Sequence, residues 1–263
     1  MKRFIFYSGG KDSNATTIIC HEKGIHVDGV VMSEVMFDHK RNISGENPEH
    51  IKWVYETAIP IIEKQFGYKV IVLRDKSDYL QQFNHIIYRS PVYGRNGKKR
   101  GFLIGGKCKA NSDLKMRPIK QFLKSIKEPY EEIVGIAADE PERQNKKTMK
   151  SKGKNKKRSI LVEFGITEAM TYDICRKYNL LSPIYNSRKR GGCWFCPNQG
   201  IEEFAALKKN YPELWQELKI LSNDKQIVSQ GFKYGQTFFN IEQQVDTINN
   251  QISLFDYLEE KWK

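Results

Sequence analysis

The sequence contains no long apolar run. No stretch approaches the ~18 consecutive apolar residues that a membrane-spanning helix requires. The apolar residues at the start of the chain give way to Ser8, Gly9 and Gly10 before they could supply the ~7 apolar residues of a secretory signal peptide. We therefore expect a cytoplasmic protein with no membrane partner.

The chain also has too few cysteines for a dense disulfide network, and its acidic residues are outnumbered by basic ones. Five cysteines among 263 residues do not resemble a disulfide framework, and they predict metal ligands, reactive thiols or small core residues. The 31 Asp and Glu residues are outnumbered by 44 Lys and Arg, which leaves a net charge of +13. A positive charge of this size favours polyanionic partners such as nucleotides and nucleic acids.

Short apolar strands alternate with helical patterns along most of the chain. The predicted strands are residues 3–7, 27–32, 69–73 and 133–137, and helices are predicted at 12–23 and 48–66. Pro60 should kink or split the second helix, because proline has no N–H to donate. This alternation predicts an α/β fold in which a mainly parallel sheet is flanked by helices, with a cysteine-rich element. We assign residues 1–200 to this domain and 201–263 to a helical C-terminal extension.

A strongly basic segment lies within the first domain. Residues 146–158 hold eight Lys or Arg, no acid and no apolar period, which predicts a flexible loop. Two interpretations stay open. The segment is either a solvated charge run or a flap that grips the phosphate backbone of a nucleic acid.

The segment Ser8–Ser13 has the sequence S-G-G-K-D-S and lies where the first strand meets the first helix. Gly9 and Gly10 allow a sharp turn and a close approach to a ligand. The N-terminus of the helix offers free N–H groups to an anion, and Lys11 adds a positive charge. The pattern therefore predicts a polyphosphate site formed by Ser8, Gly9, Gly10, Lys11, Asp12 and Ser13. The alternative is an ordinary turn in which Asp12 or Ser13 caps the helix.

The cysteines suggest a metal centre. Cys193-x-x-Cys196 places two thiolates on one metal, and Cys108 and Cys175 are the candidates for the remaining ligands. Both zinc and a [4Fe–4S] cluster accept four thiolates, and the spacing does not distinguish them. Alternatively, Cys175 is a buried helix residue and the C-x-x-C a redox pair.

The S-G-G-K-D-S motif resembles the PP-loop of the ATP pyrophosphatase superfamily. Three further segments resemble the phosphoadenosine phosphosulfate (PAPS) reductase family within that superfamily, so that the resemblance extends over residues 3 to about 200. The three segments are Cys108-x5-Leu114-Lys115-x2-Pro118-Ile119, Gly135-Ile136-Ala137-Ala138-Asp139-Glu140-x2-Arg143 and the block from Gly165 to Pro197.

The resemblance implies that the loop holds the phosphates of ATP or of a PAPS-type sulfonucleotide, usually with Mg²⁺. The usual reaction is adenylylation of an acceptor with release of pyrophosphate. It also implies a [4Fe–4S] cluster on cysteines, although this chain has a single cysteine at Cys108 where adenylylsulfate reductases have a pair. The residues assigned to catalysis are Lys11, Asp12, Asp139, Glu140 and Arg143.

Glu34 follows the second strand, where the carboxyl ends of parallel strands collect ligands. We assign it to the nucleotide site, where it would bind the ribose or a metal. The alternative is a carboxylate that caps a surface loop.

One departure from the family concerns the reaction. The reductases carry a catalytic E-C-G-x-H tail, whereas no cysteine follows Cys196 here. We therefore place nucleotidyl activation or sulfur transfer, with nucleic acid as the candidate acceptor, ahead of a reductase that releases sulfite. A third interpretation is a non-catalytic nucleic-acid-binding factor that is switched by a nucleotide.

Near the end of the chain, Gln251-Ile252-Ser253-Leu254-Phe255 resembles the peptide with which bacterial proteins dock into the sliding clamp. Leu254 and Phe255 would be its apolar anchors, and Gln251 would be the polar residue that positions it. The alternative is a C-terminal helix that packs these apolar side chains on its own domain.

Overall fold

The structure is a computed structural model that describes residues 1–103, 108–145, 149, 153–188 and 191–261. For residue 249 and residues 251–261 it describes the backbone alone. Within these residues, no helix is both long and apolar enough to cross a membrane.

The described residues form short strands and helices in alternation. The strands are β1 (Lys2–Tyr7), β2 (Gly29–Glu34), β3 (Met36–Asp38), β4 (Ile43–Ser44), β5 (Val70–Arg74), β6 (Lys99–Gly101), β7 (Tyr130–Val134), β8 (Lys156–Arg158), β9 (Ile227–Ser229), β10 (Gly231–Lys233) and β11 (Gln236–Thr237). The α-helices are α1 (Lys11–Glu22), α2 (Pro48–Trp53), α3 (Ile59–Lys64), α4 (Tyr79–Phe83), α5 (Met116–Ser125), α6 (Pro141–Gln144), α7 (Ile160–Glu163), α8 (Glu168–Lys177), α9 (Ile201–Asn210), α10 (Pro212–Ser222) and α11 (Phe238–Lys261).

The main sheet has five parallel strands in the order β5-β2-β1-β7-β8. This confirms the predicted α/β class. The chain leaves β1 toward β2 on one side and later returns to place β7 on the other side. Helix α1 packs against α7 and α8, and its inner face joins the apolar core with Ile5, Val30 and Ile133.

The second predicted helix is interrupted as Pro60 suggested. Helix α2 runs into a π-helical turn at Val54–Ala58, and α3 follows it. Within this turn the N–H of Ile59 donates to the carbonyl of Val54, five residues earlier. The wider turn accommodates the missing N–H of Pro60 and the clash of its ring with the preceding turn.

The basic segment contains a strand that the sequence did not predict. Strand β8 pairs in parallel with β7, although all its side chains are cationic. Lys157 Nζ lies 3.0 Å from Glu132 Oε2, and Arg158 Nη1 lies 3.0 Å from Glu163 Oε2. Pairing with carboxylates replaces the apolar pattern that would have marked the strand. The prediction of a continuous loop is therefore wrong for residues 156–158, while 146–148 and 150–152 lie outside the described residues.

The chain divides into two compact units. Unit 1 comprises residues 1–36, 46–76 and 113–192 and contains the five-stranded sheet. Unit 2 comprises residues 37–45, 77–112 and 193–263. This division differs from the predicted boundary at residue 200, because unit 2 also draws on two earlier segments.

Unit 2 is built around aromatic side chains. Phe37 packs against Trp194 and Phe195, with ring centroids 4.6 and 5.6 Å away. A second aromatic group is centred on Phe232. Its ring centroid lies 5.2–5.4 Å from the ring centroids of Phe102, Phe204 and Phe238.

Helix α11 begins in this core, where Phe238, Ile241 and Val245 are buried. The segment that resembles a clamp-binding peptide lies in the same helix. The side chains of Gln251, Leu254 and Phe255 are outside the described part, so clamp binding stays a prediction.

The two phenylalanines Phe232 and Phe239 provide a matched test of this core. Phe232 is 1% exposed and Phe239 is 63% exposed. We expect Phe232→Ala to lower the free energy of unfolding by about 3–5 kcal/mol through the loss of buried surface and the cavity it leaves. Phe239→Ala should change it by less than about 0.5 kcal/mol. Urea unfolding followed by tryptophan fluorescence measures both, and equal effects would contradict the described packing.

Candidate functional site

A polar cavity opens where β1 and β7 end side by side. Successive elements depart to opposite sides of the sheet at this point, and ligands of open parallel sheets bind at such a switch in strand order. The cavity has a volume of about 370 Å³. Its lining residues are Ser8, Gly10, Lys11, Asp12, Glu46, His50, Lys115, Glu140, Arg143, Glu168, Tyr185, Gly191 and Gly192.

The turn after β1 requires glycine at position 9. Gly9 has a φ of 72°, which disfavours other residues. A Cβ atom at Gly9 would also lie 2.6 Å from Val54 Cγ2 and 2.8 Å from the His50 ring. The π-helical segment and α2 therefore press directly on the loop, and only a residue without a side chain fits between them.

Helix α1 begins at Gly10 without a side-chain cap. Ser13 Oγ donates to the carbonyl of Gly10 (2.8 Å) and accepts from the N–H of Ser8 (3.2 Å), so its hydroxyl stabilises the turn. The alternative that Asp12 or Ser13 caps the helix is therefore not what the structure shows. The start of the helix keeps its positive dipole end toward the cavity.

Buried polar contacts hold the first turn of α1 in place. The N–H of Lys11 donates to the Tyr185 hydroxyl (3.0 Å). The side-chain amide of Asn14 donates to the carbonyls of Gly9 (2.8 Å) and Leu180 (2.9 Å). The loop is thus fixed from the segment that follows α8 as well as from α2.

The ammonium group of Lys11 is only 4% exposed and is paired with two carboxylates. Its Nζ lies 2.9 Å from Asp12 Oδ1 and 2.8 Å from Glu168 Oε1. Burial disfavours the charged form, but the two hydrogen bonds outweigh burial and raise the pKa of Lys11 above its ordinary value. Lys11 is therefore a permanent cation at the mouth of the turn.

His50 is a site residue that the sequence analysis missed. Its Nε2 lies 3.0 Å from the carbonyl oxygen of Ser8, and its Nδ1 lies 2.8 Å from Ser182 Oγ. Because a carbonyl can only accept, the proton must be on Nε2, and Nδ1 accepts from the serine hydroxyl. Burial lowers the pKa of His50 below 6.5. A neutral imidazole with one fixed tautomer thus supports the loop.

The loop after β7 forms the opposite wall. A Cβ atom at Gly135 would lie 2.8–2.9 Å from the backbone of Asp12 and Ser13, so the chain can approach α1 only with glycine there. This close approach also explains why β7 ends at Val134, three residues before the predicted end of the strand.

The three residues predicted on this loop have different surroundings. Glu140 accepts from the N–H of Ala137 (3.1 Å) and from Arg143 Nη1 (2.6 Å), and both Glu140 and Arg143 line the cavity. Asp139 does not line it. The Asp139 carboxylate accepts from the N–H of Glu168 (2.9 Å), at the start of α8, so it is a positioning residue for the partner of Lys11.

Glu34 is buried and paired, and it is not among the residues that line the cavity. Its Oε2 accepts from the Tyr55 hydroxyl (2.6 Å) and lies 2.8 Å from Arg74 Nη2. The carboxylate therefore connects the ends of β2 and β5 to the π-helical segment. Burial contradicts the alternative of a surface cap, and the assignment of Glu34 to the nucleotide site stays a prediction.

Several other lining residues carry no local signal in the sequence. Glu46, Glu168 and Tyr185 come from three distant segments, and only the fold brings them together. Lys115 and Tyr185 belong to segments that resemble the PAPS reductase family, but nothing in their spacing assigned them to the cavity. The ion pair of Lys115 with Glu46 (3.6 Å) lies in the wall.

The predicted set of four cysteines is divided between the two units. Cys175 is fully buried in the core of unit 1, and its Sγ donates to the carbonyl of Lys11 (3.2 Å). Burial raises the pKa of its thiol to about 12. Burial and this hydrogen bond fit the alternative of a buried helix residue, and the four-thiolate set stays a prediction.

The other three candidate cysteines belong to unit 2. Burial raises the pKa of the Tyr79 hydroxyl, and electrostatic interactions with Cys108 and Cys193 act in the same direction. Cys196 follows in a turn closed by its N–H on the carbonyl of Cys193 (3.0 Å). Among the residues that the structure describes, no three His, Cys, Asp or Glu side chains form a metal-binding group.

Comparison with known proteins shows no matching family model and no matching curated protein. Among solved structures, the chain is similar to the U34-tRNA thiolase NcsA from Methanococcus maripaludis with its [4Fe-4S] cluster, at 12% identity and a TM-score of 0.40. The similarity covers 86% of this chain and 73% of the thiolase chain. At these values it assigns no function, and the chemistry must come from this chain's own residues.

The buried position of Cys175 predicts that it is dispensable for metal binding. We expect anaerobically purified Cys175→Ala protein to keep the iron, sulfide or zinc content of the wild type, as should Cys20→Ala, which alters another fully buried cysteine. Cys193→Ala should lower that content, because Cys193 belongs to the C-x-x-C pair. Metal and sulfide analysis with visible spectra measures this. If Cys175→Ala lost the metal while Cys20→Ala kept it, Cys175 would be a ligand after all.

The neutral state of His50 predicts a pH dependence of stability. Below pH 6.5 the unfolded chain gains a proton at His50 that the folded chain does not accept, because burial lowers the folded-state pKa. The free energy of unfolding should therefore fall as the pH drops from 6.5, by at most about 1.4 kcal/mol per pH unit from this group.

Urea unfolding between pH 7.5 and about 5 measures this change in the free energy of unfolding, which should decrease toward low pH. His50→Gln should flatten the dependence, and His85→Gln, which alters an exposed histidine, should leave it unchanged. An identical slope in His50→Gln and wild type would contradict the buried, neutral imidazole.

Proposed function

We propose that this chain is an adenine-nucleotide-dependent enzyme of the PP-loop type, which transfers a nucleotidyl group to an acceptor and releases pyrophosphate. The observation that carries the proposal is the glycine turn at Gly9, placed at the switch in strand order and followed by an uncapped helix with a buried, charged lysine. This combination offers backbone N–H groups, a helix dipole and a cation to one anion.

The chemistry follows from the charges in the cavity. An acceptor oxygen attacks the α-phosphorus, a new P–O bond forms, and the bond to the β-phosphate oxygen breaks so that pyrophosphate leaves with the electron pair. Negative charge grows on the leaving group, where the N-terminus of α1 and Lys11 would stabilise it. Arg143 and Lys115 line the same cavity and would bind further phosphate oxygens.

The carboxylates of the cavity fit a magnesium ion. Mg²⁺ usually binds through one or two carboxylates together with substrate phosphates. Asp12 and Glu140 both line the cavity and would hold it. When bound, the ion would neutralise phosphate charge. Asp12 also holds Lys11 in place, since its Oδ1 lies 2.9 Å from Lys11 Nζ.

The acceptor and the sulfur chemistry stay proposals. The net charge of +13 supports nucleic acid as the acceptor. No step of this reaction requires a [4Fe–4S] cluster or zinc, and the four-cysteine site stays a prediction. Lys154 and Lys156 are exposed, whereas Lys157 and Arg158 are paired with carboxylates on unit 1, so only part of the basic segment is free to contact phosphate.

Replacement of Lys11 tests the proposal. We expect Lys11→Gln to weaken ATP binding about tenfold and to slow pyrophosphate release by about 10²–10³-fold, because the leaving charge loses a positioned cation. Lys225→Gln, which alters an exposed lysine of unit 2, is the control. Calorimetry measures ATP affinity, and a pyrophosphate assay with RNA and DNA acceptors measures turnover.

Three results would decide against the proposal. Unchanged ATP affinity in Lys11→Gln, with circular dichroism showing a folded protein, would remove the phosphate site. Sulfite release from PAPS with thioredoxin would favour the reductase. ATP binding and nucleic-acid binding without pyrophosphate release from any acceptor would favour the non-catalytic factor.

A further inference from the structure

One segment of unit 2 carries charge of a single sign. Residues 79–112 contain seven Lys or Arg and no Asp or Glu, whereas the whole chain carries +13. Such a one-signed stretch creates a local positive potential that attracts polyanions. The segment is separate in sequence from residues 146–158 and from the phosphate loop.

Within this segment, residues 85–100 form a hydrogen-bonded hairpin, which we name the basic hairpin. Ile86 bridges to Lys99 in antiparallel fashion, and the N–H of Ile87 donates to the carbonyl of Lys98 (2.9 Å). The N–H of Ser90 donates to Asn96 Oδ1 (2.8 Å), which closes the tip. The tip is therefore an ordered projection with its own internal contacts.

The cations of the hairpin fall into two groups. At its base, Lys99 Nζ lies 2.6 Å from Asp224 Oδ2, and Arg100 Nη1 donates to Gln82 Oε1 (2.7 Å). Nearer the tip, Arg89, Arg95 and Lys98 have no carboxylate partner among the described residues. They are exposed and available to phosphate groups.

Exposed aromatic side chains are close in sequence to these tip cations. Tyr88 is 77% exposed, Tyr93 is fully exposed, and Val92 beside it is 46% exposed. Two tyrosine faces in water next to arginines are unfavourable for an isolated surface loop, but they suit a ligand that offers flat rings and negative charges together. Nucleobases linked by phosphates have this chemistry.

We propose that the basic hairpin binds single-stranded nucleic acid, with Tyr88 and Tyr93 stacked on bases and Arg89, Arg95 and Lys98 on phosphates. In a duplex the base faces are covered by their neighbours, so the tyrosines would gain nothing there. The inference extends the proposed function by naming the surface that holds a nucleic-acid acceptor. Strand binding itself rests on the hairpin alone.

The test is fluorescence anisotropy with a labelled oligonucleotide of mixed sequence, as single-stranded RNA, single-stranded DNA and duplex DNA, without ATP. We expect Tyr93→Ala to weaken binding of a single strand roughly 5- to 150-fold, which corresponds to the loss of about 1–3 kcal/mol of stacking. Tyr93→Phe keeps the ring and should bind as the wild type does. Tyr234→Ala, which removes another tyrosine of unit 2 that is 88% exposed, should have no effect.

A second measurement isolates the charges. Arg95→Ala should reduce the slope of log affinity against log salt concentration by about 0.7, the value for one phosphate contact on a single strand. The ratio of RNA to DNA affinity identifies which strand the hairpin prefers, and preference for either single strand over the duplex supports the proposal.

Three results would overturn the inference: no binding of either single strand, wild-type affinity in the double variant Tyr88→Ala/Tyr93→Ala, or equal losses for duplex and single strand. Failure of the proposed function gives a different pattern. In that case Lys11→Gln would bind ATP as the wild type does, while the effects of the hairpin variants on strand binding would persist.

Discussion

The site depends on the contact between the turn at Gly9 and the helical segment that contains His50 and Val54. This contact leaves no room for a side chain and forces the loop into a backbone conformation that glycine tolerates. The imidazole of His50 then fixes the carbonyl of Ser8. Pro60 interrupts the helix at Val54–Ala58. This interruption therefore lies in the same segment that shapes the turn at Gly9. Steric fit and one neutral histidine together set the direction in which α1 begins.

The sequence predicted the parts of this arrangement that are encoded locally. The order strand, glycine turn, helix is contained in a dozen residues, and the structure has it. The walls of the cavity were not predictable in that way, because His50, Glu168 and Tyr185 reach it only through long-range packing. Asp139 and Glu140 are neighbours in sequence, yet one supports α8 and the other lines the cavity. Only their backbone directions distinguish them.

One error of prediction, at β8, and one open assignment, at Cys175, concern contacts that the local sequence does not reveal. Strand β8 was missed because its charged side chains are neutralised by carboxylates on β7 and α7, so that it needs no apolar pattern. The assignment of Cys175 to a metal depends on a similar contact, because the spacing of cysteines does not reveal which face of α8 packs against α1. The contacts of Lys157 with Glu132 and of Cys175 with Lys11 join residues that are far apart in the chain, and composition within a window carries no information about them.

The hydrogen bond from Cys175 to the carbonyl of Lys11 has a consequence for the way in which a ligand would enter. Together with Tyr185 and Asn14, it restrains the first turn of α1 from inside the protein. The backbone groups that face the cavity are thus ordered in advance, and little conformational entropy remains to be lost there when an anion arrives. The main energetic cost of anion binding is then the rearrangement of the side-chain ion pairs around Lys11. Occupancy of the cavity by an anion should therefore depend on ionic strength far more than on motion of the loop.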